Sequence, residues 1–391
     1  MKKTTSKVFL LAATYSLFMS IGIAFIIMQL YSGSFAESFG LSMTELGTLL
    51  SCQFLASMIT PLITGRLSDV IGKKKVLIGG IALFAIGCFV ISLSKTAAVC
   101  KIGIFLMGGG RTCTNGVCCA ALVDVFPEKA PRYIALTSVT ASSFNMITSA
   151  LASLLGPAFP DWRTTFALTG CIILIPLVFT CLSKIEKADK TLKAAQGFKG
   201  VFDALKKPNV IIVFFATGFA SAMTMNYGSY VNSFFTEIFG AEKLGSSMVF
   251  VHSLCSVIGT SIFGMLKISE EVKIKYLAFA SAFFLILESL MPSAVSAFIF
   301  GLFFSVLQAT IFTLFTALMA KQDLENTGLM TSLVLIAHGA GSSLGAVAAG
   351  FMADMANLRG SYLLLSVCGL ISGALLILLH ITYKKRKTGS L

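Results

Sequence analysis

Twelve apolar runs, each close to the length that crosses a bilayer, follow one another along the chain, and nothing else constrains its fold as strongly. They cover residues 8–31, 43–64, 75–94, 100–125, 133–158, 163–182, 209–236, 244–267, 275–291, 294–319, 327–353 and 361–383. About 20 residues at 1.5 Å rise span the hydrocarbon core. Composition agrees: 56% of residues are hydrophobic and 12% charged, against about 25% charged in a soluble domain. The expected fold is all-α, a polytopic membrane protein with twelve transmembrane helices. The first run is too long for a cleaved secretory signal and is followed by further spans, so it is expected to stay.

The net charge of +13 could suggest nucleic acid, but the positions of the basic residues say otherwise. With the N-terminus placed in the cytoplasm, 24 of the 30 lysines and arginines fall on cytoplasmic segments. The external segments hold only Lys95, Lys101, Arg163, Lys243 and Arg359, and Arg111 is the one left over. That asymmetry follows the positive-inside rule. It puts both termini in the cytoplasm of a plasma (inner) membrane protein and accounts for the charge without a nucleic-acid partner. The ten cysteines lie mostly in apolar runs without paired spacing and read as small packing residues, not as a metal site.

The longest loop, residues 183–208, is polar and basic and follows the sixth run. The chain therefore divides into a six-helix bundle over 1–182, a cytoplasmic linker over 183–208 and a second six-helix bundle over 209–391. Two pseudo-symmetric bundles are a transporter layout. Part of the linker, "GFKGVFDALKKP", has the pattern of a short interfacial helix.

Between the second and third runs stands "GRLSDVIGKKK", Gly65 to Lys75. Gly65 permits a tight exit from the helix, Asp69 offers an acceptor to exposed helix N–H groups, and Gly72 permits positive φ. With the twelve spans, the central loop and the charge asymmetry, this motif resembles the loop signature of the major facilitator superfamily. The resemblance implies two such bundles working as a rocker switch. It also implies a cytoplasmic gate built from Gly65, Asp69, Gly72, Lys73 and Asp124, with Asp69 facing the start of the eleventh span and Lys73 paired with Asp124. "LVDVFPEKAPR" (Leu122 to Arg132) and "DWRTTF" (Asp161 to Phe166) resemble further junctions of the family. The loop after the eighth span has Ile268 where a second Asp would stand, so the latch is expected on one side only.

Two departures narrow the subfamily. The mid-helix Gly-Pro of the family's drug–proton antiporters is absent from "SSFNMITSALAS" in the fifth span. Gly156–Pro157 comes only at its external end. The tenth and eleventh spans resemble the fucose-type sugar permease branch, but the acidic residues that branch uses in its first and fourth spans are missing. The subfamily is left unassigned.

Arg111 lies within one residue of the centre of the fourth span. An arginine there costs about 2.5–3.5 kcal/mol even on lenient insertion scales. Gln53, Asn145, Gln308 and His338 are central in the second, fifth, tenth and eleventh spans, and Asn226 is a turn past the centre of the seventh. Each Gln or Asn alone also fits an interhelical hydrogen bond. Their common depth points to a midplane substrate site. Asn115 shares the face of Arg111 at i+4, and Tyr227 and Tyr230 add rings and hydroxyls.

No Asp or Glu stands in the interior of the first six spans, Glu45 and Asp124 lying at span ends, so the Arg111 charge is expected to serve a small anionic substrate such as a carboxylate or phosphorylated metabolite. His338 and Glu288 are the candidates for carrying a coupled proton. The chain has no nucleotide-binding loop and no catalytic constellation, so it reads as a transporter, not an enzyme. Neither cofactor nor metal is expected. Its expected partners are a small-molecule substrate, membrane lipids and, for coupled transport, a proton; a facilitator or exchanger that needs no carrier acid stays open, and the chain is expected to be a monomer. The competing readings are a drug or amphiphile efflux antiporter and a neutral sugar permease.

Overall fold

A computed structural model of the chain describes residues 2–183, 203–323 and 327–387. Most of the linker and the last C-terminal residues fall outside it, as do some side chains, among them those of Arg66 and Asp69. The described residues are helical throughout, without strands.

The helices are α1 (Lys2–Leu30), the short α2 (Ser32–Phe39), α3 (Met43–Ile71), α4 (Lys73–Leu93), α5 (Ala97–Val125), α6 (Ala130–Leu155) and α7 (Trp162–Leu182). After the linker come α8 (Pro208–Phe239), α9 (Glu242–Met265), α10 (Glu270–Leu290), α11 (Ala294–Gln308), α12 (Ile311–Ala320) and α13 (Thr327–Lys387). Nine helical stretches among the described residues are long and apolar enough to cross a membrane. One of them, Leu329–Thr382, runs for 54 residues, far more than the ~20 that one crossing takes. It breaks at Ala356 and Asn357, the latter at φ 63°. α5 and α10 are outside the nine because they are more polar. α5 carries Arg111 and a glycine run, and α10 carries Glu270, Glu271, Lys273, Lys275 and Glu288.

Local chemistry sets the ends. Ser42 and Glu45 form a reciprocal capping box at the start of α3, each side chain accepting from the other's backbone N–H. Asp161 caps α7 by accepting from the N–H of Thr164 at 3.0 Å. Gly240, at φ 64°, closes α8 with paired bonds back to the last turn. Lys74 donates to the carbonyls of Cys181 and Ser183 at the C-terminal end of α7, where the helix dipole favours a cation.

One expectation changes here. α3 does not exit at Gly65 but continues helically through it to Ile71. A glycine inside a helix costs only about 1 kcal/mol, and the chain breaks instead at Gly72, whose φ of 93° other residues avoid.

By contact the chain falls into two compact units. The first is Met1–Ser34 with Cys52–Ala195, and the second is Phe35–Ser51 with Gln196–Leu391. In the first, α4 packs on α5 and α7, and α1 packs on α6 and α7. In the second, α8 packs on α13, α10 on α11 and α13, and α9 on α11. The start of α3 belongs to the second unit for a definite reason. Asp354 of α13 accepts from the backbone N–H groups of Met43 and Thr44, both at 2.8 Å, and from the Thr44 hydroxyl. Gly350 and Gly47 let the two backbones approach, since a Cβ at either would meet a carbonyl oxygen at 2.1 and 2.3 Å.

Candidate functional site

The first unit builds its polar centre on α5. Gly108, Gly109 and Gly110 remove side chains where neighbours crowd in. A Cβ at Gly108 would lie 2.7 Å from the carbonyl oxygen of Gln53, and one at Gly110 would lie 2.4 Å from the backbone nitrogen of Phe84. α3 and α5 thus run side by side in the same sense, with Gln53 opposite Gly108 and Ser57 bonded to Thr112 at 2.9 Å. Gln53 is buried.

Arg111 itself is half-buried. Its guanidinium carbon stands 5.6 Å from the ring centre of Phe25 on α1, a cation–π distance. Its Nε is enclosed with no hydrogen-bond partner. Among the described residues no carboxylate lies within ion-pair distance of it. Gly22 of α1 abuts Ala141 of α6. Asn145 stands one turn beyond Ala141 on the same helix. Asn115 is exposed, a turn further along α5, with its amide oxygen 3.8 Å from Cys119 Sγ.

The second unit holds the other expected residues in a hydrogen-bonded interior. Asn226 donates to the carbonyls of Ala222 and Ser342, at 2.8 and 3.1 Å, and its Oδ1 is enclosed without a partner. Tyr230 donates to the carbonyl of Ala346 at 2.9 Å. Tyr227 donates to Glu288 Oε1 at 3.0 Å. All three α8 side chains are fully buried. His338 meets the Ser221 hydroxyl through Nδ1 at 2.9 Å and lies 4.5 Å, ring centre to ring centre, from Phe312. Gln308 donates to Ser256 at 3.2 Å. It ends α11 where the tenth run breaks at Ala309–Thr310, leaving the Thr310 hydroxyl enclosed without a partner.

Gln53, Arg111 and Asn145 thus belong to the first unit, and Asn226, Tyr227, Tyr230, Gln308, His338 and Glu288 to the second, where a hydrogen bond joins Tyr227 to Glu288. Sequence reasoning missed the ring of Phe25, the Ser221 hydroxyl that bonds His338, and the pairing of Tyr227 with Glu288. Residues this far apart in sequence leave no local signal. At the loop motif, Lys73 pairs with Asp124 and also reaches the carbonyl of Ala120 at 3.4 Å. The Asp69 side chain, and with it the expected contact to the eleventh span, lies outside the described residues. No group of three or more metal-ligating side chains occurs among the described residues.

Comparison with known proteins agrees with this architecture. The chain is 31% identical over 179 residues to the chloramphenicol resistance protein CraA of Acinetobacter baumannii, a stretch covering 44% of this chain and 41% of that protein. It is 28% identical over 156 residues to the 3-(3-hydroxy-phenyl)propionate transporter of Escherichia coli, covering 39% and 38%. These matches span about two fifths of the relatives' lengths. A mutant of the nucleoside transporter NupG superposes with a TM-score of 0.79 at 15% identity, over 96% of this chain and 99% of that one, which shows a shared fold. The profile of the Major Facilitator Superfamily matches residues 9–324, and the chain belongs to that superfamily of multi-pass membrane transporters.

Proposed function

We propose that the chain is a secondary transporter that moves a small polar anion by rocker-switch alternating access. One observation carries the anionic reading: Arg111, in the middle of a membrane-length helix, with an enclosed Nε lacking a partner and no carboxylate within ion-pair distance among the described residues. Arginine cannot shed its proton. A cation kept at that depth without a protein acid is best explained by an acid that arrives as substrate. Gln53, Asn115 and Asn145 are the polar residues this reading assigns to substrate in the first unit. Asn226, Tyr227, Tyr230, Gln308 and His338 are those it assigns in the second.

The reading includes twelve spans, with both termini cytoplasmic and bundles over 1–182 and 209–391. The count is supported by the nine apolar stretches, with Leu329–Thr382 long enough for two crossings and α5 and α10 as the two more polar spans. Lys73 and Asp124, with Gly65, Asp69 and Gly72, form the cytoplasmic gate in this reading.

The test is thermal-shift screening of the purified chain against short and aromatic carboxylates, sugar phosphates, neutral sugars and chloramphenicol. A ligand that binds the folded state raises apparent stability by mass action. Carboxylates or phosphates are expected to stabilise the wild type and to lose that effect in Arg111→Gln. Stabilisation by neutral sugars alone, or anion shifts that survive Arg111→Gln, overturns the anionic reading. A second reading, efflux of uncharged drugs, draws on the similarity to the chloramphenicol resistance protein. It predicts a shift with chloramphenicol that Arg111→Gln leaves in place.

A further inference from the structure

A second ionisable group is buried without a counter-charge, in the other unit. Glu288 of α10 is fully enclosed. Its Oε1 accepts from the Tyr227 hydroxyl at 3.0 Å, and its Oε2 has no partner. The hydroxyl of Tyr362, whose ring centre lies 5.6 Å from that of Tyr227, is likewise enclosed and unpartnered. Gly301 of α11 closes another side, where a Cβ would stand 2.9 Å from Glu288 Oε1 and 2.8 Å from the Tyr227 hydroxyl.

The groups around this carboxyl can be enumerated. From α8 comes Tyr227, and behind its ring, at 5.1 Å, lies His252 of α9. His252 is engaged through Nδ1 with Ser305 at 2.8 Å. Ser305 spends its only hydrogen on the carbonyl of Gly301 at 2.7 Å, so it accepts from His252, whose N–H therefore sits at Nδ1. From α13 come Tyr362 and Arg359. Arg359 donates to the carbonyl of Ser289, the residue after Glu288, at 2.6 Å and faces the ring of Phe239. α11 and α12 contribute no ionisable side chain. Among the described residues no cation is within ion-pair distance of Glu288.

We propose that Glu288 is a proton-binding site, occupied while Tyr227, Tyr362 and Gly301 enclose it, and that Arg359 takes over as its counter-ion when the proton leaves. The physical reason is cost. An ionised carboxylate here would keep one hydrogen bond and no counter-charge, and burying it so is costly. The acid form carries no such charge. Release moves one proton from Oε2 to water and leaves a carboxylate one residue from a guanidinium already anchored at Ser289. The use of that proton in transport rests on the transporter reading; the binding site itself does not.

The experiment is infrared difference spectroscopy of the purified full-length chain in lipid nanodiscs, stepped from neutral to alkaline pH. The wild type is expected to show a carboxylic-acid C=O stretch at neutral pH that Glu288→Gln loses, together with one proton fewer released on the alkaline step. Tyr227→Phe is expected to keep that band and shift it to higher frequency, which serves as the second readout should Glu288→Gln fold poorly. Arg359→Gln is expected to push the loss of the band to more alkaline pH. A neutral-pH wild type with only carboxylate bands and an unshifted Tyr227→Phe spectrum overturns the site. An unchanged Arg359→Gln titration overturns the role of Arg359. No substrate is needed, so an acid band together with a failed anion screen would refute the Arg111 reading alone.

Discussion

Arg111 in the first unit and Glu288 in the second are both ionisable, both on membrane-length helices and both without a counter-charge among the described residues. Their surroundings differ. Arg111 is half-buried, its guanidinium carbon 5.6 Å from the ring centre of Phe25, with an enclosed Nε left unsatisfied. Glu288 is sealed, with a phenol hydroxyl on one oxygen and a glycine pressed against it. The difference follows from acid–base chemistry. A guanidinium stays charged at any depth, whereas a carboxyl can become neutral by keeping a proton. The proposed roles follow that difference, an anion for the one and a proton for the other.

The largest expected effect tests the scaffold under the first of these. Gly110→Leu places a side chain against the backbone of Phe84 and should cost about 3 kcal/mol, the upper end of overpacking penalties. Its melting temperature should fall well below that of Gly116→Leu, where nothing lies within 4 Å of the added Cβ. Equal losses would mean that the α4–α5 contact does not hold Arg111 in place.

Next comes the contrast itself. Arg111→Gln removes a charge that the fold bears at a cost, so the ligand-free protein should gain about 2 kcal/mol while losing its response to anions. Glu288→Gln exchanges one neutral group for another of the same shape and should change ligand-free stability by less than about 1 kcal/mol. Thermal melts of the two variants side by side would break the comparison if they moved in the same direction by the same amount.

A smaller effect serves as a control in the second unit, away from Glu288. Asp354→Ala removes the acceptor from the first turn of α3 and should cost about 1 kcal/mol. It should leave the Glu288 acid band in place. The smallest effect lies outside the membrane. The Glu270 carboxyl is held below its usual range, chiefly by its hydrogen bond from Lys321. The contribution of that pair is present at neutral pH and is lost as pH falls through the depressed value. Acid melts of Lys321→Ala should converge on the wild type, whereas neutral melts should stay apart.

Much of the architecture could be read from the residues, because lipid leaves a spanning segment few choices. Each apolar run had to be a helix to satisfy its own backbone. The motif at Gly72 could be read for the same kind of reason, since a backbone at φ 93° is one that glycine supplies. The breaks were harder. The tenth run reads as continuous in apolarity yet divides between Gln308 and Ile311, and the turn at Asn357 involves no glycine at that residue. α3 ran past Gly65 because one glycine is too weak to stop a helix that has partners.

The sequence alone determined that the chain is a multi-span membrane protein, that Arg111 lies deep in a span, and which loop carries the family signature. These follow from periodicity, depth and charge asymmetry, all properties of single segments. Only the tertiary structure decided that Phe25 faces Arg111, that Asp354 caps α3 from 310 residues away, and that Tyr227 and Glu288, 61 residues apart, share a hydrogen bond. A contact between distant helices depends on which faces pack together, and helix faces are chosen by the whole bundle at once.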